Sequence, residues 1–427
     1  MAGELRGAMA LLVGIALLAL GNGLQGTLLG VRAAMEQFGP VVTGIVMSGY
    51  MIGLLVGSLV TPRLVGQVGH IRVFAAFASI GSTAILVMSI FVDPALWFAM
   101  RLVTGICFSG LYVVAESWLN AAADNRHRGK LLSVYMVVTF AFMGLGQVLL
   151  NVADPSGYEL FILVSVLVSV SLVPISLTRA NAPAIENSRA VGLGELYRWS
   201  PLAVVACFAN GLGQSAFFAM GAVYATLQGF TPAQVSMLMA LPLIGVVVSQ
   251  YPIGAASDRF DRRMVLVVLT FASAALAFAC ALSTELPFAV LTALFTAFGA
   301  LALPLHSMAI AHANDQLDSD QMLGASGKLV MLFGVGASAG PLVVGGVMYE
   351  VGPYGFFLYM VAIYGLLGVF ALYRMGVRQS KPLDEQTGFV LITPRTTAVA
   401  AAALAECAEE QGSGAGPAAA EAQPAGQ

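Results

Sequence analysis

The sequence predicts an all-α membrane protein of twelve transmembrane helices, built as two pseudo-symmetric six-helix halves. Three observations carry that reading: a composition that belongs in lipid, twelve apolar runs long enough to cross it, and a polar motif repeated near the start of each half. Of 427 residues, 59% are hydrophobic and 10% charged, against roughly 45–50% and about 25% in soluble domains. A hydrocarbon core takes about 20 apolar residues as a helix, and no backbone group can go unpaired there, so runs of this length are helices.

The elements follow in order. The opening MetAlaGlyGluLeuArg leads into an apolar run that continues to Val31, too long for a secretory signal, so it is the first span, at about 8–31. The next five lie at about 42–62, 72–91, 95–119, 131–152 and 159–178, separated by short segments that carry Arg, Asp or Pro. A polar stretch follows and parts the halves. The second six spans lie at about 201–227, 234–256, 264–283, 287–311, 326–348 and 354–375. The expected organisation is a first half at 1–178, a cytoplasmic linker at 179–200, a second half at 201–378 and a disordered cytoplasmic tail at 379–427, rich in Ala, Glu, Gly and Pro.

Basic residues favour cytoplasmic loops. With the N-terminus inside, all nineteen Lys and Arg fall on the cytoplasmic side except Arg32, outside, and Arg101, within a span. That asymmetry supports an even number of spans with both termini cytoplasmic. The net charge of -3 and the scattered basic residues give no footprint for nucleic acid. Cys107, Cys207, Cys280 and Cys407, and His70, His127, His306 and His312, form no metal-ligand spacing, so no metal or cofactor is expected. No Gly-rich phosphate loop with its Lys is present, so pumping must draw on a gradient rather than on ATP. An intramembrane enzyme would need a nucleophile or metal cluster that the sequence does not display.

The repeat is carried by Gly21 to Gly26 (Gly-Asn-Gly-Leu-Gln-Gly) in the first span and Ala209 to Gln214 (Ala-Asn-Gly-Leu-Gly-Gln) in the seventh, at an offset of 188 residues (from 22 to 210). Gly129-Lys130-Leu131 and Gly327-Lys328-Leu329 repeat likewise at an offset of 198 (from 130 to 328). Transporter folds are often assembled from such repeats with the substrate at mid-membrane between them. Asn22 and Gln25, and Asn210 and Gln214, each share one helical face. They either line a central aqueous cavity or bond neighbouring helices; both readings suit buried amides.

Gly254 to Arg263 (Gly-Ala-Ala-Ser-Asp-Arg-Phe-Asp-Arg-Arg) closely resembles the G-x-x-x-D-R-x-G-R-R/K loop signature of the major facilitator superfamily, with Asp261 at the second Gly. The first-half equivalent is degenerate, with Pro62, Gly66 and Gln67 at the Gly, Asp and Arg positions and Gly69 retained. Arg101, Thr104 and Gly105 resemble the superfamily's R-x-x-x-G element. Gly336, Gly340, Pro341, Gly345 and Gly346 resemble a motif described for antiporters, with one residue too many after the proline and in the other half. Glu116 to Asn120 (Glu-Ser-Trp-Leu-Asn), with Pro304 to Asp315, is similar to the YcaD-like branch.

The resemblance covers about residues 8–378. It implies the major facilitator fold in a bacterial inner (plasma) membrane and secondary transport of a small molecule by alternating access. It also implies that Asp258, Arg259, Arg262 and Arg263 latch the halves at the cytoplasmic side. Arg101 is placed to bind substrate or modulate protonation, or else to snorkel to the outer surface. Glu116, about 22 Å further along the same helix at 1.5 Å per residue, is expected as a cytoplasmic gate residue paired with Arg63, Arg72, Arg126 or Arg128. Glu116 and His306 are the candidates for proton linkage. The expected substrate cavity is Asn22, Gln25, Arg101, Asn210 and Gln214, for a solute that is exported or imported, with a lean to export. The alternative is a transport-inactive sensor or scaffold acting through the tail, although no protein-interaction module is legible there.

Overall fold

A computed structural model describes residues 2–122, 128–176, 192–282, 287–317 and 319–377. The expected linker up to residue 191 and the tail from 378 lie outside the described residues, as do Arg126, His127, Arg179, Arg189 and Cys407 and the side chains of Asn120, Arg128 and Lys130.

The helices are α1 (Ala2–Met35), α2 (Gly39–Val68), α3 (His70–Ile90), α4 (Pro94–Ala122), α5 (Arg128–Val148, followed by a single 3-10 turn Leu149–Val152) and α6 (Glu159–Ser176). After the short α7 (Leu193–Trp199) come α8 (Pro201–Leu227), α9 (Pro232–Arg259), α10 (Arg262–Leu282), α11 (Phe288–Ala302), α12 (Leu305–Asn314), α13 (Ser319–Val351) and α14 (Gly355–Val377). Twelve membrane-length spans result, because α11 and α12 share one and α7 makes none. Among the described residues there is no strand.

Two expected boundaries are corrected. The second span does not stop at 62: α2 runs through Pro62 to Val68 and turns at Gly69, whose φ of 88° suits glycine. An internal proline removes one backbone bond, which a long packed helix tolerates. The tenth span is not continuous, for Pro304 supplies no N–H to the Ala300 carbonyl and the helix breaks at Leu303 and Pro304. Neighbouring helices meet the freed carbonyls: Ser249 Oγ of α9 donates to the Ala300 oxygen at 2.6 Å, and Gln214 Nε2 of α8 donates to the Leu303 oxygen at 3.0 Å.

The two halves repeat one crossing in detail. In the first, α1 meets α5 where Gly23 abuts the Met143 carbonyl and Gly146 abuts the Leu20 carbonyl, each so close that a Cβ would overlap the oxygen. In the second, α8 meets α13 where Gly211 abuts the Phe333 carbonyl and Gly336 abuts the Phe208 carbonyl in the same way. The offsets are 188 in α1 and α8 (from 20 to 208, from 23 to 211) and 190 in α5 and α13 (from 143 to 333, from 146 to 336). Small residues let backbones approach in a bilayer, where packing rather than water expulsion drives association.

The halves pack against each other chiefly through α2 with α13 and α5 with α9. Close approaches lie toward the face opposite the termini and also near the middle of α2, where a Cβ on Gly334 would lie 2.9 Å from Leu55 Cδ1. Gly44 abuts the Pro341 carbonyl, and a Cβ on Gly345 would lie 2.5 Å from the Pro40 oxygen and one on Gly30 3.0 Å from Ala222 Cβ. On the same face Asn151 Nδ2 donates to Ser236 Oγ at 2.8 Å.

Candidate functional site

The R-x-x-x-G element of α4 owes its geometry to a helix crossing. Gly105 abuts the Tyr50 carbonyl, and Gly53 of α2 abuts the Leu102 carbonyl. Arg101 stands one turn before Gly105 and Tyr50 nearly one turn before Gly53, so the crossing lays the guanidinium over the phenol ring, 4.2 Å from its centroid. A desolvated cation over an aromatic face is stabilised by about 2 kcal/mol or more. Arg101 is 4% exposed, so it points into the bundle rather than snorkelling to the surface. From α1, Asn22 Nδ2 donates to the Tyr50 hydroxyl at 3.0 Å and to the Tyr112 hydroxyl at 3.5 Å, and Tyr50 donates back to Asn22 Oδ1 at 3.3 Å. Gln25, one turn on, is buried with neither amide atom hydrogen-bonded among the described residues.

In the second half Asn210 Nδ2 donates to the Ala206 carbonyl of its own helix at 2.9 Å, and Gln214 holds the broken span ten. The five expected cavity residues thus form two clusters. Asn22 and Arg101 converge on Tyr50, Gln25 lies one turn after Asn22 on α1, and Gln214 bonds the break with Asn210 one turn before it on α8. All five are buried.

Glu116 is 1% exposed and accepts a hydrogen bond from the Tyr135 hydroxyl of α5 at 2.5 Å. Of the arginines expected beside it, Arg63 and Arg72 are exposed, while Arg126 and the Arg128 side chain lie outside the described residues. His306, also 1% exposed, has its ring 4.6 Å from that of Phe333.

At the end of α9, Arg262 is buried and donates to Ser257 Oγ at 2.9 Å, to the Ala311 carbonyl at 2.9 Å and to Asp315 at 2.7 Å, with Asp258 at 3.8 Å. These bonds tie α9 and α10 to the end of α12, inside the second half. Arg263 pairs with Asp261 at 2.8 Å, which accounts for an acid where the family loop has glycine. Burial raises the Asp261 carboxyl, but hydrogen bonds from Arg263 and the charges of Arg263 and His312 outweigh it and hold the group below the usual carboxylate range. Arg259 is exposed.

Tyr50, Tyr112, Tyr135 and Asp315 were not legible as functional partners, since a phenol in an apolar run has no local signature. Among the described residues no cluster of three or more His, Cys, Asp or Glu could hold a metal.

Residues 11–233 and 203–405 each match the family model of the Major Facilitator Superfamily. The chain belongs to that superfamily. It is therefore a multi-pass membrane protein and a secondary transporter of small molecules, and the two successive matches accord with the repeated crossing. Among curated relatives it is 27% identical to the uncharacterized MFS-type transporter YcaD of Escherichia fergusonii, over 79% of this chain and 87% of that one. It is 28% identical, with the same shares covered, to YcaD of Escherichia coli O7:K1. Two crystal structures share the fold. One is the nucleoside transporter NupG, at TM-score 0.71 and 15% identity, covering 89% of this chain and 100% of that one. The other is a bacterial homolog of the human lysosomal transporter Spinster, inward-facing and unoccupied, at 0.64 and 13%, covering 94% and 98%.

Proposed function

We propose that this transporter moves a small organic solute across a bacterial plasma membrane by alternating access, binding it between the halves near Asn22, Gln25, Arg101, Asn210 and Gln214. The observation that carries the reading is the buried cluster of Arg101, Tyr50, Asn22 and Tyr112 on three helices of the first half, with Asn210 standing at the repeat position of Asn22. A charge buried within a span is costly and therefore rare, and where it occurs it marks a substrate or ion pathway by default. With both termini in the cytoplasm, the tight packing of α2 with α13 and of α5 with α9 closes the outer side of this arrangement, in which all five site residues are buried. Asp258 and Arg259, exposed at the end of α9, are the members of the loop placed to meet the first half when the inner side closes. Glu116, bonded to Tyr135, and His306 are the groups proposed for proton linkage, and the direction proposed is export.

Arg101→Ala should lower transport of an identified solute in proteoliposomes by about tenfold or more, the equivalent of one lost charge-assisted hydrogen bond. Arg101→Ala and Asn210→Ala variants with unchanged flux would remove this site. Direction is read from a knockout strain, which should retain more of the solute than the wild type; less retention of every compound tested would reverse it.

A further inference from the structure

Two amides of α8 are oriented by their own nitrogens. Asn210 Nδ2 is held by the Ala206 carbonyl and Gln214 Nε2 by the Leu303 carbonyl. Only an N–H can meet a carbonyl, so each side-chain oxygen is fixed on the other side of its amide. Neither Asn210 Oδ1 nor Gln214 Oε1 has a hydrogen-bond partner among the described residues. Four residues apart, they share one face of α8.

His306 Nδ1, two residues past the break at Pro304, also has no hydrogen-bond partner among the described residues. Its ring packs on Phe333, whose carbonyl abuts Gly211, the residue between the two amides in sequence. Each of the three residues is at most 1% exposed. Buried acceptors left unmet are costly, and they select for a partner that brings donors.

We propose that Asn210 Oδ1, Gln214 Oε1 and His306 Nδ1 form a subsite for the protonated primary amine of the transported solute. The inference rests on the transport site proposed above and names the chemical class that this half of it takes. A primary ammonium offers three N–H donors for three acceptors. His306 serves as an acceptor through Nδ1 while neutral, with its proton on Nε2. A quaternary ammonium has the charge without the donors, and a carboxylate has neither.

The test is binding of benzylamine to the purified full chain in detergent, read as the saturable rise in melting temperature that a native-state ligand produces. Benzyltrimethylammonium and sodium chloride at equal ionic strength serve as controls. Benzylamine alone should stabilise the wild type. Asn210→Leu should weaken the apparent affinity about tenfold, and Asn210→Asp, which keeps an acceptor and adds a charge, should strengthen it about tenfold. The gain expected of Asn210→Asp cannot arise from misfolding. No shift with benzylamine, an equal shift with benzyltrimethylammonium or with sodium, or indifference to both substitutions would overturn the subsite. Benzylamine binding without flux of any amine in proteoliposomes would leave the subsite standing and remove the transport reading. Arg101-dependent flux of another solute without amine binding would do the reverse.

Discussion

Asp315→Ala should cost the folded transporter about 3–5 kcal/mol, the penalty for leaving one member of a buried ion pair without the other. Arg262 and Asp315 meet at 2.7 Å with side chains 1% and 3% exposed. A second acid near Arg262, Asp258, is at 3.8 Å and 49% exposed, too far and too well hydrated to take over. The Ser257 and Ala311 bonds would stay but bring dipoles rather than charge. In thermal melts followed by fluorescence-detected size exclusion, Asp315→Ala and Arg262→Ala should each lose folded protein at temperatures the wild type survives. The double variant Arg262→Met, Asp315→Leu should recover much of the loss, since a packed apolar pair is often as stable as the ions it replaces. A wild-type melting profile for Asp315→Ala would show that water, not Asp315, satisfies Arg262.

That pair also marks how far the sequence could be read. The loop signature on α9 was visible from Gly254 to Arg263 because its residues are consecutive, and it put Arg262 at the turn between two spans, where α10 begins. What Arg262 touches is set by α12, 53 residues on, and no local pattern carries that information. The twelve spans were legible because lipid requires long apolar runs, yet the break in the tenth was not, since its halves are each apolar and Pro304 alone does not say whether a helix bends or stops. Within the first half Arg101 and Asn22 stood out as polar residues in apolar surroundings. Tyr50 and Tyr112, which join them, are amphipathic and look like ordinary aromatic packing. Glu116 was expected to seek an arginine; its described bond is to the phenol of Tyr135, on a neighbouring helix.

Gly23→Val and Gly211→Val should be among the most damaging single changes outside the polar clusters, and they should be damaging to a similar degree. A Cβ at either position overlaps a backbone oxygen, of Met143 or of Phe333, and a backbone cannot move aside as a flexible side chain can. Relief requires α1 to separate from α5, or α8 from α13, along the whole crossing. Overpacking of this kind typically costs about 1–3 kcal/mol and more where the neighbour cannot yield, so little folded protein should remain. The same changes would also shift the polar residues beside them, because Asn22 precedes Gly23 and Asn210 precedes Gly211. Gly26→Ala and Gly346→Ala are the contrast: nothing lies within 4 Å of a Cβ at either place, and replacing a helical glycine should leave stability unchanged or raise it by up to about 1 kcal/mol. Melting temperatures of the four variants, measured side by side, test whether the repeated glycines hold the two halves by the same contact. If Gly23→Val melts with the wild type while Gly211→Val does not, the first-half crossing yields where its counterpart does not, and the symmetry of the two halves is one of topology rather than of packing.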